Sequence, residues 1–107
     1  MLYKFKSKAA GDVVMLAASG DQVLRILGRE PAVKGILEVA AMPTAMQAIE
    51  AAVVQDEMAR QQAEAEATAE GRSLPPREAV TLRQRAWPLL EMIKRSHASK
   101  ADIVWGV

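Results

Sequence analysis

Leu82-Arg83-Gln84-Arg85-Ala86-Trp87-Pro88-Leu89-Leu90-Glu91-Met92-Ile93-Lys94-Arg95, followed a few residues later by Ile103-Val104-Trp105-Gly106-Val107, decides how this chain folds. Through and around the first run Ala79, Leu82, Ala86, Leu89, Leu90, Ile93 and His97 recur at helical spacing, which predicts one buried stripe on a helix from about Glu78 to about Ala98. Pro88 has no amide to offer Gln84 and collides with that turn, so a kink or restart belongs there. Asp102 then turns the chain into a strand over 102–107. Its apolar end implies a core reaching the last residue, with both tryptophans near the junction of helix and strand.

Working outward, Gly71-Arg72-Ser73-Leu74-Pro75-Pro76 separates that helix from an earlier one over 43–70. Pro43 suits its first turn, and Met46, Ile49 and Val53 recur at three and four. From Arg60 to Glu70 the sequence is Ala, Gln and Glu with no large apolar side chain, so the tract stays helical by propensity but has little to hold it to a core. Arg60–Pro76 is thus a helix extension plus linker. The start of the chain alternates: Tyr3 and Phe5 on one face of a strand over 2–7, Lys4 and Lys6 on the other. Lys8 to Asp12 reads as a turn and 12–16 as the second strand of a hairpin. Ser19-Gly20-Asp21 offers capping oxygens for a short helix that buries Val23, Leu24, Ile26 and Leu27, with Gly28 as its left-handed stop. Gly35-Ile36-Leu37-Glu38-Val39 supplies a strand over 34–39.

The fold class expected from these elements is α+β. A small, mainly antiparallel sheet of about four strands carries a short helix and a long two-helix hairpin on one face, all in a single domain over residues 1–107. The C-terminal strand belongs beside the N-terminal one, so that Tyr3 and Phe5 share a core with Ile103 and Trp105.

Charge and composition narrow the function classes. Fourteen basic and thirteen acidic residues leave a net charge of +1, which argues against a nucleic-acid binder. The charges are sorted, however. Residues 43–71 hold six acids and one base, whereas 72–100 hold seven bases and two acids, a pattern suited to two helices lying against each other within one chain or between two. With no cysteine there is no disulfide, thiolate metal site or thiol nucleophile. No segment approaches the roughly 18 apolar residues of a membrane span. The alternating start is unlike a signal peptide, and the expected setting is the cytoplasm.

Candidate sites are few. His97 is the single histidine, with no HxH or HxxxH partner, so a capping or half-buried role outweighs a metal or base role. Arg83 and Arg85 could clamp a phosphate or carboxylate, but two positions apart on a helix they diverge by about 200°, and pairing with the acidic helix is the stronger reading. Trp87 and Trp105 could line a pocket or interface, though packing is the ordinary use of tryptophan in a small core. Asp56, Glu57, Glu64, Glu66 and Glu70 lack the spacing of a calcium loop or di-metal helix and read as a solvated face. No cofactor is implied.

With those residues laid out, the chain resembles a family of small, mainly proteobacterial proteins classed as a domain of unknown function. The resemblance rests on Met1-Leu2-Tyr3-Lys4-Phe5-Lys6-Ser7, Gly11-Asp12-Val13-Val14-Met15-Leu16, Gly28-Arg29-Glu30-Pro31, Lys34-Gly35-Ile36, Leu82 to Pro88 and Val104-Trp105-Gly106-Val107. It implies membership and carries over no substrate, cofactor or catalytic residue.

The expectation is therefore a non-enzymatic interaction or small-ligand-binding module that self-associates as a dimer. The alternative is an enzyme that orients an anionic small molecule through Arg83 or His97, in a pocket between the helix hairpin and the sheet.

Overall fold

The computed structural model describes residues 2–73 and 81–107. The expected helix start at Glu78, Ala79 of its stripe and the Leu74-Pro75-Pro76 linker lie outside the described residues.

Two strands open the chain, β1 (Leu2–Ser7) and β2 (Ala10–Leu16), and α1 (Ala17–Ile26) follows without a loop. Next come β3 (Gly35–Leu37), a 3-10 turn at Val39–Ala41, α2 (Met42–Ala69), α3 (Leu82–Ala98) and β4 (Ile103–Trp105). The sheet has the order β2-β1-β4-β3, antiparallel throughout. The α+β architecture expected from the sequence is the one observed. β4 lies beside β1, with Phe5 opposite Trp105 and Lys6 opposite Val104.

Alternation along the strands sorts the side chains. Tyr3, Phe5, Met15, Leu37, Ile103 and Trp105 point to the buried face, where Phe5 packs between the rings of Tyr3 and Trp105 at centroid distances of 6.0 and 5.7 Å. Helices α1 and α3 pack on this face, and α2 packs chiefly on them. Val23 and Leu24 of α1, Ile49 and Val53 of α2 and Leu89, Leu90 and Ile93 of α3 complete one core. Each such side chain taken out of water contributes about 2 kcal/mol. Leu2, Lys4, Val14, Leu16 and Ile36 sit on the opposite face and are exposed.

Several local expectations change. α1 begins at Ala17, so Ser19, Gly20 and Asp21 lie inside it rather than at its cap. The reason is tertiary: Gly20 passes under the Tyr3 ring, where a Cβ would come within 2.1 Å of Cδ2, and Asp21 accepts the Tyr3 hydroxyl instead of a backbone amide. The cap of α3 is Thr81, whose hydroxyl accepts from the Gln84 N–H while the Gln84 side chain accepts from the Thr81 N–H. α3 runs through Pro88 as one helix; Pro88 is exposed, so the Gln84 carbonyl it leaves unbonded faces water. The core ends at Trp105, since Val107 is exposed, and Trp87 lies outside the core. In the last turn of α3 the buried position belongs to Ser96, and His97 is exposed.

Candidate functional site

The five side chains singled out from the sequence do not converge. Arg83 reaches across to α2 and grips Glu57 with two hydrogen bonds, Nη2 to Oε1 at 2.8 Å and Nε to Oε2 at 3.2 Å. The hydrogen bond and then the charge of Glu57 raise the Arg83 pKa further above its ordinary value. The sorted charges of the two long helices therefore meet within one chain at this pair. Arg85 points elsewhere, toward the Gln22 carboxamide of α1 at 3.4 Å. The divergence expected of positions 83 and 85 is thus observed, with a different helix on each side.

Trp87 lies on the outer surface of α3 under two cations, Arg83 at 5.1 Å and Lys94 at 5.5 Å from the ring centroid, and Lys94 approaches Glu91 at 3.9 Å. Glu57, Arg83, Trp87 and Lys94 thus make a surface ladder joining α2 to α3. Trp105 is buried and its indole N–H donates to the Ala32 carbonyl at 3.1 Å, which ties the loop before β3 to the sheet. The Gly35 backbone lies so close to this ring that a Cβ there would meet it at 2.3 Å. Arg83 and His97 are separated by about 21 Å of helix rise, so they face no common cleft.

What the sequence did not single out is a groove of about 800 Å³ where α3 hands over to β4. Its walls are the β1–β2 turn, with Lys6, Ser7, Lys8 and Ala9, and the α3–β4 turn, with Ser99, Lys100, Ala101 and Asp102. Its floor is Ile36 and Val104, which sit opposite each other on β3 and β4, and Val104 in turn sits opposite Lys6 on β1. Ile36, Val104 and Lys6 thus form one row across three strands.

The groove is anchored at both ends. Ser96 is fully buried in α3, and its hydroxyl meets that of Ser7 at 2.7 Å; Ser7 Oγ also accepts from the Ala9 N–H at 3.2 Å. Asp102 Oδ1 accepts from the Val39 N–H at 3.1 Å, which fixes the entry to β4 against the 3-10 turn. Lys4, just outside, pairs with Asp12 at 3.5 Å, whereas Lys6, Lys8 and Lys100 pair with no carboxylate among the described residues. The lysines come from opposite ends of the sequence, so no local motif marks them. The legible signal was limited to the Lys4/Lys6/Lys8 alternation.

Among the described residues no three His, Asp or Glu side chains gather as a metal shell, and no helix is long and apolar enough to cross a membrane. No curated protein and no solved structure matches the chain. A family model, DUF1840, described as a domain of unknown function, matches residues 1–105. The match spans every element from the β1–β2 hairpin to β4, and the chain belongs to that family.

Proposed function

We propose that the protein is a non-enzymatic interaction module that forms a homodimer through the edge strand β2. The observation that carries this reading is the character of that edge. β2 is seven residues long, contains no proline and, among the described residues, hydrogen-bonds on one side only. Val14 and Leu16 of its outward face are 53% and 69% exposed, and Leu2, opposite Leu16 on β1, is 60% exposed. Natural sheet edges are ordinarily kept short, charged or covered, because free N–H and C=O groups recruit another strand. The other edge follows that rule, since β3 is three residues long. β2 meets its counterpart antiparallel about a twofold axis, which satisfies the free backbone groups and brings Val14 and Leu16 of the two copies side by side on one continuous sheet face.

Sedimentation velocity over a range of concentrations tests this reading. The wild-type chain should sediment as a dimer, and Val14→Lys and Leu16→Lys variants should be monomers with an unchanged circular dichroism spectrum. A wild-type protein that stays monomeric throughout would sink the proposal.

A further inference from the structure

The three α-helices among the described residues stop in the same way. After α1 the Gly28 N–H donates to the Arg25 carbonyl and the Arg29 N–H to Leu24; after α2 Gly71 donates to Thr68 and Arg72 to Ala67; after α3 Lys100 donates to His97 and Ala101 to Ser96. This double-bonded stop requires one residue in the left-handed region, and glycine fills it at the lowest cost. Twice the chain uses glycine, Gly28 at φ +78° and Gly71 at φ +73°. The third time it uses Lys100, at φ +55°, the one non-glycine residue with positive φ among the described residues.

A side chain in that conformation is penalised by the clash of its Cβ with the following carbonyl. A cation does complement the carbonyl end of a helix, but Arg95 already stands in the last turn of α3. The helix stop therefore does not account for a lysine at this position, whereas the groove does. Lys100 lines it together with Lys6 and Lys8 from the β1–β2 turn and with the apolar Ile36 and Val104.

We infer that this groove is a binding site for a small organic anion, one with a phosphate or carboxylate at one end and an apolar body at the other. Lys6, Lys8 and Lys100 receive the anionic end; the Ile36–Val104 pair receives the body. The volume lies within the roughly 300–1,000 Å³ of small-molecule sites. Asp102 also lines the groove and offsets one of the three lysine charges, which leaves the lining with a net charge of +2, and its Oδ1 is held by the Val39 N–H. The Ser7–Ser96 bond fixes the distance between the two lysine-bearing turns, so the charges are held in place before the ligand arrives. The strained lysine is then explained as stability given up for binding.

Titration of phenyl phosphate into isotope-labelled protein, read by amide chemical shifts, tests the assignment. Phenyl phosphate should move the amides of residues 6–9, 99–102 and 104, and bind more tightly than inorganic phosphate; phenol should leave them in place. Lys100→Gly is the discriminating variant. It should raise the thermal midpoint by relieving the left-handed side chain, and weaken phenyl phosphate by about threefold, as expected for one exposed ion pair. Lys6→Gln should weaken binding without raising the midpoint. The groove excludes Val14 and Leu16, so the same titration in the Leu16→Lys variant separates this site from the dimer.

The inference is overturned if phenyl phosphate leaves the groove amides unmoved, or if Lys100→Gly binds as tightly as wild type. A Lys100→Gly protein less stable than wild type would overturn it too, because Lys100 would then belong to the fold. Vesicles containing phosphatidylglycerol that shift these amides where phenyl phosphate does not would replace the small molecule with a membrane surface.

Discussion

The hydroxyls of Ser7 and Ser96, 89 positions apart in the chain, meet at 2.7 Å where β1 ends and α3 is about to end. The two partners are not equivalent. Ser96 is fully buried, while Ser7 is half-buried and keeps the Ala9 amide as a second partner.

Removing Ser7 should therefore cost more than removing Ser96. Ser7→Ala strands a buried hydroxyl, at roughly 1–3 kcal/mol, whereas Ser96→Ala leaves a hydroxyl that water can reach and should cost about 1 kcal/mol or less. Urea denaturation of the two variants gives the order directly. Equal losses would mean that Ser96 finds another acceptor inside its own helix.

Gly20 and Gly35 serve close approach to aromatic rings. A Cβ at Gly20 would overlap the Tyr3 ring and one at Gly35 the Trp105 ring. Gly20→Ala and Gly35→Ala should each lose roughly 1–3 kcal/mol, the usual range for overpacking. Combining Gly20→Ala with Tyr3→Leu should recover part of the loss, a non-additivity readable by a double-mutant cycle.

Tyr3 is the only tyrosine, so its ionisation can be followed by ultraviolet absorbance. Donation to Asp21, then burial, then the Asp21 charge raise its pKa above the ordinary value of 10.0, against a smaller lowering by Arg25. The folded state thus holds this proton more tightly than the unfolded chain does. The stabilisation is fully present below pH 10 and is lost as pH rises through the folded pKa. Asp21→Asn should bring the titration back toward the ordinary value and flatten the alkaline fall in stability. An unchanged titration in that variant would assign the shift to burial alone.

The two tryptophans should behave as separate reporters. With Trp105 buried and Trp87 exposed beneath Arg83 and Lys94, Trp87→Phe should leave blue-shifted emission protected from acrylamide. Trp105→Phe should leave red-shifted emission that is readily quenched, and should also destabilise the fold, because the Ala32 carbonyl loses its donor.

The strands and long helices were legible because their apolar spacing is local. Tyr3/Phe5 alternation, the Ile49/Val53 stripe and the Leu82-to-Ile93 stripe are each contained in one element, and each packs as its period requires. The errors fall where a distant residue overrides a local signal. Ser19, Gly20 and Asp21 carry capping chemistry, but Tyr3 draws Gly20 and Asp21 into the helix body. His97 fits the stripe, yet Ser7 selects Ser96 as the buried residue of that turn. The groove leaves no local trace for the same reason, since its lysines stand at positions 6, 8 and 100 and are brought to one groove only when β4 lies beside β1. Arg83, by contrast, pairs with the acidic helix as the charge pattern predicts, because charge sorting along the sequence is visible without the fold.

The position of β4 carries a consequence for how the protein is made. Among the described residues β3 joins the sheet only through β4, and β4 is synthesised after β1, β2 and β3. A chain emerging from the ribosome can form the β1–β2 hairpin early, but it must hold 35–37 unpaired until residue 105 is available. Folding is therefore completed after translation has passed that point, and a nascent chain stalled short of it presents β1 with an open side to its neighbours.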